Sequence, residues 1–250
     1  MSFTIFKHYL FRAYTDIFGL LIQIAAPILI ASIMSVIGMG GMDEGSYMQD
    51  GFNVVATGNF LINLLIFQFM SGGYISEYIH NDFKSDRRWR LLATPVSLNK
   101  YVFSALAACV VYSLTSSLIV MAFGYFVFNV YMGNIIMILV TLLVTALLAQ
   151  FMGFIIGLCT KTNSSAMTLV QVVGWSLLIF SGFFISLDIG GITDFLGNYS
   201  PFSLAVDAFF YSSIFNDNMM SDALNALGLL SATTAVIAIV AWIIGRRRPV

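Results

Sequence analysis

Residues Ile135–Cys159 read IIMILVTLLVTALLAQFMGFIIGLC, an unbroken apolar run with no charged side chain and no proline. It exceeds the roughly 20 residues an α-helix needs to cross a bilayer. Working outward from it, comparable stretches occupy residues 19–38, 54–76, 101–130, 166–187 and 223–245, so the chain offers six candidate spans. The connections between them hold nearly all the charge. Only 9% of the 250 residues are charged and 59% are hydrophobic, whereas a water-soluble domain carries roughly 25% charge. The expected fold is therefore an all-α membrane protein, a single transmembrane domain over residues 1–250.

An even number of spans puts both termini on one side, and loops rich in Lys and Arg stay in the cytoplasm. With the N-terminus inside, all 11 basic residues fall inside: Lys7 and Arg12, then Lys84, Arg87, Arg88, Arg90 and Lys100, then Lys161, then Arg246–Arg248. The outer segments hold Asp43, Glu44, Asp50, Asp188, Asp194, Asp207, Asp217 and Asp222. A wrong span count would scatter the basic residues over both faces. Residues 2–17 read as an interfacial helix, with Phe3, Phe6, Leu10, Tyr14 and Ile17 on one face and His8, Arg12, Thr15 and Asp16 on the other.

Two connections are too long to be turns. Residues 77–100 form the inner one. The outer one, 188–222, contains an apolar piece, Phe202–Tyr211, that is too short to span. Gly190, Gly191, Gly197 and Pro201 interrupt it, as a pair of short re-entrant helices requires.

Several chemistries are absent from the sequence. His8 and His80 are the two histidines, and Cys109 and Cys159 lie in apolar blocks at no metal-ligand spacing, reading as small core residues. No nucleophile elbow, HExxH or GxxxxGK[ST] phosphate loop occurs. The basic residues form no clustered face for nucleic acid. No ionisable group sits at mid-membrane, where an ion-coupled carrier would hold one. The expectation is a non-enzyme without a cofactor of its own, drawing any energy from elsewhere.

The inner connection ends in Arg87–Ser97, RRWRLLATPVS. Three arginines and two leucines suit a short helix presenting charge and an apolar ridge, and Pro95 ends it. On physical grounds it reads either as a positive-inside anchor with a helix stop or as a docking element. This stretch resembles the segment before the third span in permease subunits of the ABC-2 family, where a form of LLATPVS follows a basic, glutamate-containing helix. Asn198–Phe210, NYSPFSLAVDAFF, resembles the family's outer segment at Pro201, Ala205, Asp207 and Ala208. The chain departs from the commonest family pattern in carrying Asp82, Phe83, Lys84, Ser85 and Asp86 where a glutamate-arginine-glutamate run and a glycine are usual.

The resemblance extends over the whole chain. It implies an N-terminal elbow helix, six spans with both ends inside, a cytoplasmic coupling helix between spans two and three, and re-entrant outer helices between spans five and six. It further implies the transmembrane half of an ATP-driven transporter in a bacterial plasma membrane. Such a chain works as a homo- or heterodimer above two separate ATPase subunits, which bind ATP and Mg²⁺. The residues implied to meet the ATPase are Glu77, Arg87, Arg88, Trp89, Arg90, Leu91, Leu92 and Pro95.

Within the spans, Asn59 and Asn63 share a helix face with Phe67 nearby, and Ser164, Thr168, Gln171 and Trp175 form a stripe in the fifth span, followed by Phe180. The resemblance places spans one, two and five around the dimer axis. These residues fit either the lining of a substrate path or hydrogen bonds between helices. Gly153 and Gly157 form a GxxxG, and Pro27 is a potential bend in the first span. The uncharged, aromatic path suits a drug-like compound or an antimicrobial peptide. The alternatives are a lipid-linked glycan exporter and a non-transporting immunity or scaffold protein that uses the acidic outer face.

Overall fold

The computed structural model describes residues 2–41, 47–49, 51–85, 89, 93, 96–180, 197–213 and 220–247, except for the side chains of Phe180, Ser212, Ser213 and Arg247. Helix α1 (Phe3–Thr15) is followed by α2 (Ile17–Leu20), a π-helical turn (Leu21–Ala25) and α3 (Ala26–Met39), which together make span 1. A small antiparallel hairpin follows, β1 (Met48–Gln49) and β2 (Phe52–Asn53), with Met48 opposite Asn53. Gly51 turns it at φ +83°, a conformation that favours glycine. Span 2 comprises α4 (Val54–Met70), α5 (Gly72–Tyr78) and a second π turn (Ile79–Phe83). Then come α6 (Leu98–Phe128), α7 (Ile135–Cys159), α8 (Asn163–Phe180), α9 (Pro201–Ser213) and α10 (Met220–Arg247).

Among the described residues, five helices are long and apolar enough to cross a membrane, and α8 is a shorter apolar one. The expected fifth span, 166–187, begins in α8, and its end lies outside the described residues. The expected run 135–159 coincides with α7, whose N-cap Asn134 accepts hydrogen bonds from the backbone of Ile136 and Met137. Apolarity in span 2 stops at Ser76, yet the helical path continues through Glu77 to Phe83, because the polar side chains there find partners inside the protein.

Span 2 is the centre of the bundle. About 67% of its most apolar window is buried, against 17% for α10. Phe60, Leu61, Leu64, Leu65 and Phe69 of α4 form a core with Ile138, Leu142 and Leu148 of α7 and Phe202 and Phe209 of α9. A second cluster toward the basic end joins Ile5 and Tyr9 of α1 to Ile75, Tyr78, Ile79 and Phe83 of span 2, Cys109 of α6 and Phe154 of α7. Cys109 is buried as expected of a core residue, but Cys159 is exposed at the end of α7.

Three local features add to or differ from the sequence expectation. In α1 the stripe turned into the bundle is Ile5, Tyr9 and Ala13. Phe3, Tyr14 and Ile17 stay exposed, and Arg12, expected on the polar outer face, turns toward carboxylates of span 2. A helix lying on a bundle in a membrane is apolar toward both protein and lipid, so hydropathy alone does not pick the protein face. Pro27 produces a change of helix type rather than a simple bend. It cannot donate back to the Gln23 carbonyl, and the π turn Leu21–Ala25 lies just before it, with the Ala26 N–H reaching Leu21. The GxxxG of α7 makes a seam within the chain. A Cβ on Gly153 would lie 1.9 Å from the Gly72 carbonyl oxygen, and one on Gly157 would lie 3.0 Å from Cα of Ser76. Gly72 and Ser76 are themselves a small-xxx-small pair on span 2, so two such stripes meet face to face.

Helix α9 spans 13 residues, about 20 Å at 1.5 Å per residue, too short to cross. Ser200 caps it, accepting from the Ser203 N–H at 3.1 Å, and Pro201 takes the first helical position. Phe202, Ala205 and Phe209 are fully buried at helical spacing, which seats α9 against the ends of span 2 and α10. The remainder of the expected re-entrant region, residues 188–196 and 214–219, lies outside the described residues.

Candidate functional site

The Glu77–Phe83 end of span 2 is held from two sides. On one side Arg12 of α1 donates from Nη1 to both oxygens of Asp82 (3.2 and 3.1 Å). Its Nη2 lies 3.8 Å from Glu77 Oε1, and its guanidinium sits 4.7 Å from the centre of the Tyr78 ring. Asn81 Nδ2 donates to Glu77 Oε1 at 3.0 Å. Tyr78 donates its hydroxyl proton to the Tyr9 carbonyl at 3.4 Å. The Tyr9 phenol is pushed well above its ordinary range, first by burial and next by the Asp82 carboxylate, so it stays protonated as a donor.

On the other side span 2 is fastened to the end of α7. Lys84 Nζ donates to the carbonyls of Gly157 (2.8 Å), Leu158 (3.0 Å) and Thr160 (2.6 Å). Those are carbonyls that a helix C-terminus leaves without helical partners, and a cation there also meets the negative end of the helix dipole. His80 Nε2 and Thr160 Oγ1 are 2.9 Å apart. The sequence places Lys84 among the positive-inside residues; its capping role follows from a neighbour more than 70 positions away.

Beyond this clamp, Trp89 is 74% exposed, and the Ala93 N–H donates to the Trp89 carbonyl at 3.1 Å. Arg87, Arg88, Arg90, Leu91, Leu92 and Pro95 lie outside the described residues. Glu77 lies at the root of this segment, committed to Arg12 and Asn81.

The expected path residues fall into two groups that point different ways. Asn59 and Asn63 turn toward span 1. Asn59 Nδ2 is 3.5 Å from Ser35 Oγ, and Asn63 Nδ2 donates to the Asn59 carbonyl at 2.9 Å while lying 3.7 Å from Met34 Sδ. Phe67 is half-buried, and its carbonyl accepts from Gln23 of span 1 at 3.1 Å. By contrast, Ser164, Thr168, Gln171 and Trp175 lie along one exposed face of α8. The Phe180 side chain lies outside the described residues.

A buried polar centre joins span 2, α6 and α7 through Gln68, Ser71, Ser113, Ser117 and Gln150. Ser71 donates to the Gln68 carbonyl (2.7 Å) and accepts from Ser113 of α6 and Gln150 of α7, both at 2.9 Å. Ser117 donates to Gln68 Oε1, and Gln68 Nε2 donates to the Leu142 carbonyl at 3.3 Å. One hydroxyl thus uses its donor and both acceptor sites to tie three spans together. Only isolated Ser and Gln residues at unrelated spacings signal this in the sequence.

The sequence model of a family described as ABC-2 family transporter protein matches residues 46–243, from the hairpin to the last turns of α10. The chain belongs to the ABC-2 transporter family. No curated protein matches it. The match covers every span of this ABC-2 chain except the first, so α1 with Arg12 lies outside the matched region, while its partners Glu77 and Asp82 lie within it. Members of this family are multi-pass membrane permeases of ABC transporters, which work with an ATPase subunit. The bundle of apolar helices around span 2 fits that membrane role.

Proposed function

We propose that this chain is the permease subunit of an ATP-driven exporter in a bacterial plasma membrane, with both termini cytoplasmic. It pairs with a second permease half, identical or different, above two ATPase subunits that bind ATP and Mg²⁺. The ATPase docks on Trp89 together with Arg87, Arg88, Arg90, Leu91, Leu92 and Pro95, with Glu77 holding the root. Closure of the ATPases on ATP pushes this segment and changes which side of the membrane reaches the cargo, a two-state element biased by a ligand bound elsewhere.

The observation that carries this reading is the double clamp behind Trp89. A loosely hinged segment would absorb a push. Here Lys84 ties its root to α7, and Asp82 and Glu77 tie it to α1 through Arg12. The inner ends of α1, span 2 and span 4 therefore move as one body. The exposed polar and aromatic face of α8, with Thr168, Gln171 and Trp175, supports an uncharged amphipathic cargo, a drug-like compound or an antimicrobial peptide. Lipid is a poor neighbour for a Gln side chain.

Gentle purification of the tagged chain from its native membrane, with mass spectrometry of what accompanies it, tests the reading. A P-loop ATPase is expected with the natural sequence and is expected to be lost in an Arg88→Glu/Arg90→Glu variant. A variant that retains the ATPase and its full stimulation would remove the docking assignment.

A further inference from the structure

A groove of about 460 Å³ opens between α6, α7 and α10 at the basic end of the bundle, within the roughly 300–1,000 Å³ of small-molecule sites. Its walls are aromatic and aliphatic, with Val102, Phe103, Phe151, Phe154 and Trp242 the main contributors. On the α10 side Ala238, Ala241 and Gly245 recur at helical spacing and leave the space open. Arg246 stands at the mouth, its guanidinium 4.8 Å from the centre of the Trp242 ring, and Trp242 in turn packs on Phe103 at 6.1 Å. No carboxylate among the described residues pairs with Arg246.

The occupant must satisfy both halves of this arrangement. It needs an apolar chain for the walls and an anion for the mouth, joined at the depth where a membrane changes from hydrocarbon to headgroup. Helix α10 is the least buried of the spans, so in a multi-pass membrane protein this groove opens to the bilayer. Asn99, which also lines the groove, supplies a polar group for a headgroup and lies in the first turn of α6, where the helix dipole favours an anion.

We infer that the groove binds a phospholipid with an anionic headgroup, from the leaflet at the basic end. One acyl chain lies along Phe103, Phe154 and Trp242, and the phosphate meets Arg246. The site rests on the membrane-spanning fold alone and stands or falls independently of the ATPase reading.

Trp242 reports on the site directly. The full chain carrying Trp89→Phe and Trp175→Phe, with Trp242 as its remaining tryptophan, is placed in phosphatidylcholine vesicles. A small fraction of brominated phosphatidylglycerol or brominated phosphatidylcholine is then included. The expected result is stronger quenching by the anionic lipid, with an apparent preference of about fivefold, the effect of one cation at an anionic surface. Arg246→Gln, at an exposed position, should bring that preference to unity, Arg246→Lys should keep most of it, and Ala238→Phe should weaken quenching by filling the groove. Equal quenching by the two lipids in the parent, or an unchanged preference in Arg246→Gln, overturns the assignment. So does loss of the preference to inorganic phosphate at matched anion concentration, which would mark a free-anion site, or equal quenching by groove-filled and parent chains.

Discussion

Replacing Gly153 by alanine tests the packing of the bundle at its tightest point. In an unconstrained helix the change is favourable by up to about 1 kcal/mol, since alanine restricts the unfolded chain and favours helix. Here the added Cβ would lie 1.9 Å from the Gly72 carbonyl oxygen and 2.8 Å from Gly72 Cα. Both obstacles are backbone, so no rotamer change relieves them, and spans 2 and 4 must separate. Overpacking costs about 1–3 kcal/mol, and a clash this deep with main chain belongs at the upper end. Separation also breaks the bond from Ser76 Oγ to the Gly153 carbonyl and the one from Gln150 to Ser71, each worth about 0.6 kcal/mol within membranes. After the alanine gain is subtracted, Gly153→Ala should destabilise the protein by about 3 kcal/mol. Gly228→Ala is the matched control, because a Cβ there meets nothing within 4 Å; it should be neutral or stabilising. Equilibrium unfolding in mixed micelles measures both. Stabilities within about 0.5 kcal/mol of each other, a difference too small for any overpacking mechanism, would refute the close approach of Gly72 and Gly153.

A double-mutant cycle on Arg12→Ala and Asp82→Asn should return a coupling of about 1–2 kcal/mol, more than a surface pair gives because both side chains are largely shielded; additivity would dissolve the clamp. Lys84→Met should destabilise by about 1–2 kcal/mol through loss of its bonds to the end of α7. In reconstituted vesicles it should also lower cargo movement per ATP hydrolysed, whereas unchanged coupling would separate the clamp from transmission. Ser71→Ala should cost about 1–2 kcal/mol, because it leaves the Gln150 amide and the Ser113 hydroxyl without their shared acceptor. Gln150→Met should cost less, since Gln150 Oε1 already has no partner among the described residues. The reverse order in an unfolding assay would show that Ser71 does not organise the network.

The long apolar helices were legible in the sequence because the bilayer sets a length and a hydropathy that no tertiary contact is needed to reveal. Residues 135–159 coincide with α7, and RRWRLLATPVS carried the resemblance to a family that the match over residues 46–243 then showed. Boundaries were less legible where polar residues stay helical: Glu77 and Asp82 belong to a continuing helical path because Arg12, 65 and 70 positions earlier, neutralises them. Hydropathy also left open which face of each helix meets protein, since lipid and protein interior are equally apolar. Only the tertiary structure decided that Ile5, Tyr9 and Ala13 face inward, that Asn59 and Asn63 turn to span 1, and that Thr168, Gln171 and Trp175 remain exposed. The same limit explains the GxxxG and the serine network. A sequence shows one small stripe or one hydroxyl, but a seam needs its partner, and Gly72 meets Gly153 and Ser71 meets Gln150 only once the chain has folded back on itself.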